Sequence, residues 1–186
     1  MHVLLQQFAF SFFLPLLRYY IYLFNTCFVI QTYLLKPIII FFKNHYKFQF
    51  KILTCISGID YPEKLFRFAL VYELLSIKFN NRLRLKIFLD ELTPMESVEH
   101  EYSNAYWWEC EIWDMFGVYF LGGQQMTRLL TDYGFFGYPL RKDFPLSGFL
   151  ESRYNLIKNR VVYENLELSQ EYRAFNFTSP WETVTN

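Results

Sequence analysis

The sequence predicts an α+β fold, in which strands form a sheet with one covered face and helices lie beside it. The first observation is a hairpin signal: two strand-like runs, 66–79 and 82–90, flank Asn80, a residue suited to the positive φ of a tight turn. In the second run, leucine and isoleucine alternate with charged residues, as a strand with one wet face requires. A further observation is a run at 105–116 whose apolar residues recur at helical spacing.

The elements before the hairpin follow from similar signals. We predict a helix at 3–14, paired strands at 18–24 and 27–32 across Asn25-Thr26, a helix at 34–44 with Pro37 in its first turn, and a strand from residue 48 to Gly58. Residues 8–24 are nearly all apolar, but Pro15 and Arg18 interrupt them, and seventeen residues are marginal for a bilayer of about 30 Å. We therefore expect no membrane span, with an anchor at residues 8–42 as the alternative.

The elements after the hairpin are shorter. A helical turn is expected at 97–100, and the helix at 105–116 should be capped by Ser103 or Asn104 and stopped by Gly117. A small hairpin is expected from residues 153–157 and 160–166. The remaining tail predicts a short helix followed by an aromatic extended end.

The buried face of the 105–116 helix should contain Trp108, Ile112 and Met115, which lie at i, i+4 and i+7. Glu109, Glu111 and Asp114 are expected to project elsewhere. These three carboxylates predict either an acid/base pair or half of a metal site, or else ion pairs that fix the path of the following segment. The cations available for such pairs are Arg128, Arg141 and Lys142.

The segment from Gly117 to Gly148, called the glycine-rich segment below, contains six of the seven glycines of the chain. With Pro139 and Pro145 it cannot form a long helix or a plain central strand. It also carries as much apolar surface as a core element. We predict a long ordered loop that lies against another surface, because long loops in compact domains are usually functional.

The stretch between Pro139 and Pro145 predicts a docking strip. Both prolines push the preceding residue toward extended conformations, so residues 140–144 should run as a strand-like span. Aromatic residues and an arginine on an extended backbone suit contact with another chain. The stretch contains no nucleophile and no plausible base.

Composition excludes several function classes. The formal net charge is zero, with 18 basic and 18 acidic residues, which argues against nucleic acid as a partner. The three cysteines, Cys27, Cys55 and Cys110, form no C-x-x-C pair, and the three histidines are scattered. No nucleotide-binding motif occurs. We therefore expect the chain to hold no metal, iron–sulfur cluster or nucleotide by itself.

Three runs carry a resemblance: WECEIWDMFGVYF, RLLTDYGFFGYPLRKDFPLSG and VVYENLELSQEYRAFNFTSPW. They resemble the NADH dehydrogenase subunit 9 family, the NuoC-like subunit of respiratory complex I, in its mitochondrially encoded form. The resemblance covers about residues 28–181, and the first 27 residues carry little of it. Cys110 stands where the family has an arginine, and Tyr138 stands where it has a histidine.

The resemblance implies a two-layer α+β domain with a mixed sheet covered by helices on one face. We expect this NuoC-like domain at residues 1–120, with 1–27 poorly matched. Residues 121–186 are expected to hold the extended loop, the small hairpin and a tail that docks on a partner. The matching residues implied to be structural or interfacial are Glu109, Glu111, Trp113, Asp114, Arg128, Pro139, Arg141, Lys142, Asp143 and Pro145.

The resemblance also implies a structural and assembly role in the matrix-side arm of complex I, at the mitochondrial inner membrane. The expected partners are other complex I subunits, chiefly the NuoD-like subunit that helps form the quinone site. The complex carries electrons from NADH to ubiquinone and pumps protons, whereas this chain is expected to bind no redox centre and to supply no catalytic residue. The alternative hypothesis is a stand-alone carboxylate-dependent enzyme that uses Glu109, Glu111 and Asp114.

Overall fold

The computed structural model describes residues 18–22, 25–168, 170 and 173–177, and it describes no side chain of residues 18–22, 25 and 26. The predicted helix at 3–14 lies outside the described residues. The chain divides into two compact units, one ending at Asp143 and the other beginning at Phe144. The expected division at residue 120 stays a prediction.

The first unit contains a five-stranded sheet with the order β1-β2-β5-β4-β3. Its strands are β1 (Arg18–Tyr22), β2 (Asn25–Ile30), β3 (Ile52–Asp60), β4 (Phe68–Ser76) and β5 (Asn81–Leu89). In this sheet β2 pairs with β5 in parallel, and the other three pairings are antiparallel. The prediction of an α+β fold with a mixed sheet is therefore confirmed.

The central hairpin is the predicted one. β4 and β5 pair from Phe68–Leu89 to Ser76–Asn81, and Asn80 in the turn has a φ of +46°. The alternation in β5 gives one fully buried row and one wetter row, as a sheet with a single covered face requires.

The first two strands pair as predicted, but the turn between them was misplaced. Asn25 and Thr26 belong to β2, where Asn25 lies opposite Tyr22. The parallel ladder with β5 starts at Thr26, and the extended conformation it demands overrides the turn preference of these two residues. β3 also differs from its prediction, because it starts at Ile52 and continues to Asp60.

Two α-helices lie on the covered side of the sheet: α1 (Leu35–Asn44), preceded by a 3₁₀ turn (Thr32–Leu34), and α2 (Ala105–Phe116). Both ranges agree with prediction, and Gly117 ends α2 with a φ of +79°. Apolar side chains of both helices join those of the sheet in one core. None of the helices among the described residues is long and apolar enough to cross a membrane.

The predicted side-chain cap of α2 is wrong. Asn104 occupies the N-cap position without capping the helix, and its Nδ2 donates instead to the carbonyl of Leu53 at 2.7 Å. This bond ties the start of α2 to β3. A two-stranded parallel sheet of β6 (Met95–Glu96) and β7 (Phe120–Leu121) brings together the chain before and after α2. The expected helical turn at 97–100 forms later, where Glu101 and Tyr102 donate to the Val98 carbonyl.

The second unit contains an antiparallel hairpin of β8 (Leu150–Asn155) and β9 (Arg160–Asn165), with Asn159 in its turn at a φ of +50°. The predicted small hairpin is confirmed. The short helix expected in the tail falls partly on residues outside the description, and the described residues 166–168, 170 and 173–177 belong to no helix or strand.

Candidate functional site

The C-terminal half of α2 holds the glycine-rich segment through Asp114. This carboxylate is completely buried and accepts backbone N–H bonds from Leu129 (3.2 Å), Leu130 (2.7 Å) and Thr131 (3.0 Å). The hydroxyl of Thr131 donates to its other oxygen at 2.6 Å, and Arg128 Nη1 lies 3.6 Å from the same oxygen. Both carboxylate oxygens are therefore occupied by the segment that the carboxylate positions.

These bonds also determine the charge state of Asp114. Burial is the largest single influence and acts to raise its pKa, but the hydrogen bonds from Thr131 and Leu130 outweigh it, with help from the charge of Arg128. The pKa of Asp114 is consequently lowered. A carboxylate that accepts several N–H bonds is stabilised in its charged form.

The N-terminal half of α2 contains a second buried carboxylate, Glu109. It accepts the hydroxyl of Ser97 at 2.7 Å and the N–H of Val98 at 2.9 Å, so it fixes the chain that follows β6. Burial outweighs these two hydrogen bonds and raises the pKa of Glu109. The expectation that the α2 carboxylates project away from the buried face is wrong for Glu109 and Asp114, because the segments on either side of α2 fold over them.

Glu111 and Trp113 of α2 are each half-buried. Glu111 takes no part in the hydrogen bonds that hold the glycine-rich segment among the described residues. The indole of Trp113 packs edge-on against the rings of Tyr119 and Tyr138, at centroid distances of 5.7 and 6.0 Å. Trp113 therefore contributes an aromatic surface on which the returning segment lies.

Arg141 is held at the C-terminal end of α2. Its Nε donates to the Phe116 carbonyl at 2.8 Å, and its guanidinium stacks 4.6 Å from the Tyr138 ring centroid and 5.1 Å from that of Phe68. Its ion pair is with Glu91, at 3.5 Å. A cation at this end of a helix is stabilised by the exposed carbonyls and the helix dipole.

The prediction that Arg141 pairs with an α2 carboxylate is therefore wrong. The predicted extended span at 140–144 is also wrong, because residues 139–144 form turns in which the Arg141 N–H donates to the Tyr138 carbonyl at 3.2 Å. Because of this turn, the Arg141 side chain contacts the Phe116 carbonyl at the end of α2 and not the carboxylates along the helix. Leu140 is fixed in the same way, since its N–H donates to the Met115 carbonyl at 3.2 Å.

Gly117 permits this close approach. A Cβ at this position would lie 2.7 Å from the Tyr138 ring and 2.9 Å from Arg141 Nη2, and its φ is positive. A side chain would be strained by the backbone and would also displace the ring. The glycine thus ends α2 and leaves space for the segment that returns to it.

A third buried carboxylate, Asp60 at the end of β3, was missed by the sequence analysis. Arg67 donates to both of its oxygens, at 2.8 and 3.1 Å, and the Lys142 N–H donates to it at 2.8 Å. Arg67 also binds Asp143 at 2.9 Å and Glu91 at 2.5 Å. The hydrogen bond from Arg67 is the main cause of the lowered pKa of Asp60. The register of β3 with β4 could have revealed the pair, because Asp60 lies opposite the start of β4.

Between these anchors the glycine-rich segment leaves large apolar side chains in solvent. Tyr133 is fully exposed, Phe136 is 83% exposed, and Leu130 and Leu140 are more than half exposed. In the second unit, Pro145 is exposed, and Phe175 and Phe177 of the tail are exposed as well. In the glycine-rich segment these apolar side chains stand on a backbone held at residues 129–131 and 142, which is typical of an interface with another protein.

The buried carboxylates are better suited to a structural role than to catalysis. The oxygens of Asp114 and Asp60 are engaged by fixed donors of the same chain, which leaves neither carboxylate free to act as a base. Glu109 is covered by Ser97 and Val98. Among the described residues, no group of three or more histidine, cysteine, aspartate or glutamate side chains could hold a metal ion.

Comparisons with known proteins agree with a structural role. A family model described as respiratory-chain NADH dehydrogenase, 30 Kd subunit, matches residues 28–150. The chain is 50% identical over 160 residues to NADH-ubiquinone oxidoreductase subunit 9 of Prototheca wickerhamii, covering 86% of this chain and 83% of the relative. It is 54% identical over 142 residues to the subunit 9 of Reclinomonas americana, covering 76% and 70%.

Its fold is similar to that of a chain in the membrane-bound sulfane sulfur reductase, an archaeal respiratory membrane complex. The TM-score is 0.65 at 24% identity, and the match covers 78% of this chain and 85% of that one. At this identity the likeness concerns the fold alone.

Proposed function

Since this chain belongs to the family of the 30 kDa subunit of respiratory-chain NADH dehydrogenase, we propose that it is a structural subunit of mitochondrial complex I. In this role it supplies surfaces that hold other subunits together. Electron transfer from NADH to ubiquinone and proton pumping belong to the assembled complex.

The observation that carries this proposal is the use of buried carboxylates as anchors. Asp114 and Asp60 each accept backbone N–H groups, from residues 129–131 and from residue 142 respectively, so they fix a surface loop at two points. A carboxylate that accepts several N–H bonds is a strong and directional support. The chain thereby presents Tyr133 and Phe136, which lie between the two points, on a backbone with a defined path.

We place the partner of this surface in the matrix-side arm of the complex, at the inner membrane, and name the NuoD-like quinone-site subunit as the chief candidate. Large exposed aromatics are the side chains that dominate the energetics of protein interfaces. The exposed aromatics of the tail, Phe175 and Phe177, extend the docking role to the second unit. We propose structural or interface roles for Glu109, Glu111, Trp113, Asp114, Arg128, Pro139, Arg141, Lys142, Asp143 and Pro145.

The alternative of a stand-alone carboxylate enzyme is not favoured. Glu109 and Asp114 bind different segments of the chain, before and after α2, and neither shares a donor with the other. An acid/base pair needs two carboxyl groups that reach the same substrate.

An assembly experiment tests the proposal. The double variant Tyr133→Asp, Phe136→Asp places two charges on the exposed surface and should reduce the amount of assembled complex on a native gel. The complex that does form should keep its NADH oxidation rate per particle. Ile77→Asp, at an exposed residue in the β4–β5 turn, is the matched control and should assemble normally. A NADH-oxidising complex that assembles fully without this chain would refute the proposal.

A further inference from the structure

Two lysines meet beside two aromatic rings on the face of the main sheet that the helices leave uncovered. Lys86 of β5 has its Nζ 5.3 Å from the ring centroid of Tyr61 and 5.0 Å from that of Phe88. Lys64, in the connection between β3 and β4, has its Nζ 4.0 and 5.8 Å from the same two centroids. The two ammonium groups, called the lysine pair below, are stabilised by the faces of one pair of rings.

The lysine pair has no counter-charge within the described part of the chain. Arg84, which precedes Lys86 in the same row of β5, is paired with Glu73. Among the residues that the structure describes, neither lysine forms an ion pair with a carboxylate. The hydrogen bond of Lys86 goes to the neutral Tyr61 hydroxyl, at 3.3 Å. Two like charges held close together without an anion favour the binding of a negatively charged group.

Backbone hydrogen bonds hold Lys64 in place. The Tyr61 N–H donates to the Arg67 carbonyl at 2.7 Å and closes the connection between β3 and β4. The Lys64 N–H donates to the Tyr61 carbonyl at 3.0 Å, and the Arg67 side chain is anchored on Asp60. A charged site on a backbone that is already fixed binds a partner without the cost of ordering that backbone.

An apolar groove of about 790 Å³ adjoins the lysine pair. Lys64 and Val29 both line it, and Val29 is the strand partner of Lys86. Leu65 and Tyr33 on its walls are 90% and 60% exposed. The volume lies within the range of about 300–1,000 Å³ that is usual for binding sites. The groove and the lysine pair therefore form one surface, which offers apolar walls beside two cations.

The charges around this surface favour a single carboxylate over a phosphate or a lipid surface. Asp90 lies on the groove lining, where its carboxylate accepts the Thr93 N–H at 2.9 Å, and the exposed Glu63 precedes Lys64 in the chain. Both acidic groups would repel a multiply charged anion. Lysine ammonium groups also act as point charges and lack the planar fork with which arginine binds phosphate.

We propose that the lysine pair binds an aspartate or glutamate side chain of a neighbouring subunit, and that an apolar residue close to this acid enters the groove. The inference rests on the proposed function, because it takes the partner from the same complex. It concerns a second surface, separate from the exposed Tyr133 and Phe136 of the glycine-rich segment.

Carbodiimide cross-linking of the intact complex tests this inference. The reagent joins a lysine amine to a carboxylate in contact with it, with loss of water and without a spacer. After digestion, mass spectrometry should identify a peptide in which Lys64 or Lys86 is joined to an aspartate or glutamate of another subunit. Lys78, whose Nζ lies 5.5 Å from the Phe79 ring centroid in the β4–β5 turn, is the matched control and should give no such product.

Variants measure the contributions of the charges and of the groove. Lys64→Gln with Lys86→Gln should release the chain from the complex about fivefold faster, because each ion pair at a surface contributes modestly. Lys64→Arg with Lys86→Arg keeps both charges and should release the chain at the parent rate, as should Lys78→Gln. Leu65→Ser alters an exposed wall residue and should also accelerate release, because it removes an apolar contact with the partner.

The outcomes separate this inference from the proposed function. A complex that contains the chain but gives no cross-link from the lysine pair to another subunit would overturn the inference and leave the proposed function intact. A cross-link to a second copy of the chain would do the same, and so would equal release rates for the glutamine and arginine variants. A phospholipid that co-purifies with the parent chain and is lost from the glutamine variant would also overturn it. Absence of the chain from the complex would refute the proposed function and the inference with it.

Discussion

The main sheet and the glycine-rich segment are held in place by different forces. The sheet is fixed by apolar packing, with Leu83, Leu85 and Ile87 of β5 completely buried in a core shared with both helices. Beyond Val118 and Phe120, the segment contributes little to that core, and it is fixed by Asp114 and Asp60. The comparison shows that this fold separates its stability, which the core supplies, from the shape of its exposed surface, which a few carboxylates supply.

The largest effect is expected from the core. Leu85→Ala removes a fully buried side chain and should lower the free energy of unfolding by about 2–5 kcal/mol. Denaturant unfolding of the purified chain measures this loss. Leu85→Ile keeps the volume and should cost less than about 1.5 kcal/mol. Equal losses in the two variants would show that the packing of this site does not support the sheet.

Asp114→Ala should have a smaller and more local effect. It leaves the N–H groups of residues 129–131 without their acceptor, a cost of about 1–3 kcal/mol for a buried donor that stays unpaired. Because the segment can open and hydrate these groups, the loss is limited by the stability of the segment itself. Hydrogen exchange should accelerate at residues 129–131 while the amides of β4 and β5 keep their protection. Asp114→Asn retains one acceptor oxygen, so its exchange rates at residues 129–131 should lie between those of the parent chain and those of Asp114→Ala. Uniform acceleration over the whole sheet would contradict the separation of the two regions.

Arg141→Ala should cost about 1–2 kcal/mol. The hydrogen bond from a charged donor to the Phe116 carbonyl accounts for most of this, and the stacking on Tyr138 adds a part. The ion pair adds little, because its partner Glu91 is 44% exposed. Arg141→Lys keeps the charge without the flat guanidinium and should recover only a part of the loss. Arg141→Ala should also lower the amount of assembled complex, while the turnover of each assembled particle stays normal. Normal assembly with abolished turnover would instead show that Arg141 takes part in the chemistry.

The two buried carboxylates of α2 should respond to pH in opposite directions. The folded-state pKa of Glu109 is raised above its ordinary value of 4.5, so its contribution to stability is complete below pH 4.5 and is lost as the pH rises through the folded-state pKa. The folded-state pKa of Asp114 is lowered, so its contribution is present above pH 3.8 and is lost as the pH falls through the folded-state pKa.

Variants separate these two contributions. Relative to the parent chain, Glu109→Gln should gain stability as the pH rises above 4.5, since it removes a charge from a buried site. Asp114→Asn should be most destabilising near neutral pH and should approach the parent chain at acid pH. Denaturant unfolding between pH 3 and 7 supplies both curves, and parallel curves for the two variants would contradict the assigned environments.

Prediction from the sequence succeeded where the structure depends on residues close together in the chain. Examples are the alternation in β5, the turn at Asn80 and the end of α2 at Gly117. These signals sufficed for the β4–β5 hairpin, for both described α-helices and for the hairpin of the second unit. Local signals failed at Asn25 and Asn104, where contacts with other strands outweigh the intrinsic preference of asparagine for turns and caps.

The anchors of the glycine-rich segment could not be obtained in the same way. The bond between Asp60 and the Lys142 N–H joins residues 82 positions apart, and no spacing rule connects them. The sequence suggested that α2 carboxylates fix this segment, which holds for Asp114, but it assigned Arg141 to the wrong partner. Carboxylates are visible in a sequence, whereas the donors that reach them depend on how a loop turns.

The parallel pairing of β2 with β5 has a consequence for folding during translation. β2 is synthesised before residues 31–80, yet its neighbour in the sheet is made only afterwards. At about 5–20 residues per second, β1 and β2 must wait several seconds with an unpaired edge. An antiparallel neighbour could have closed that edge at once through a short turn. The β1–β2 pair therefore has an edge open to aggregation until translation has passed residue 89.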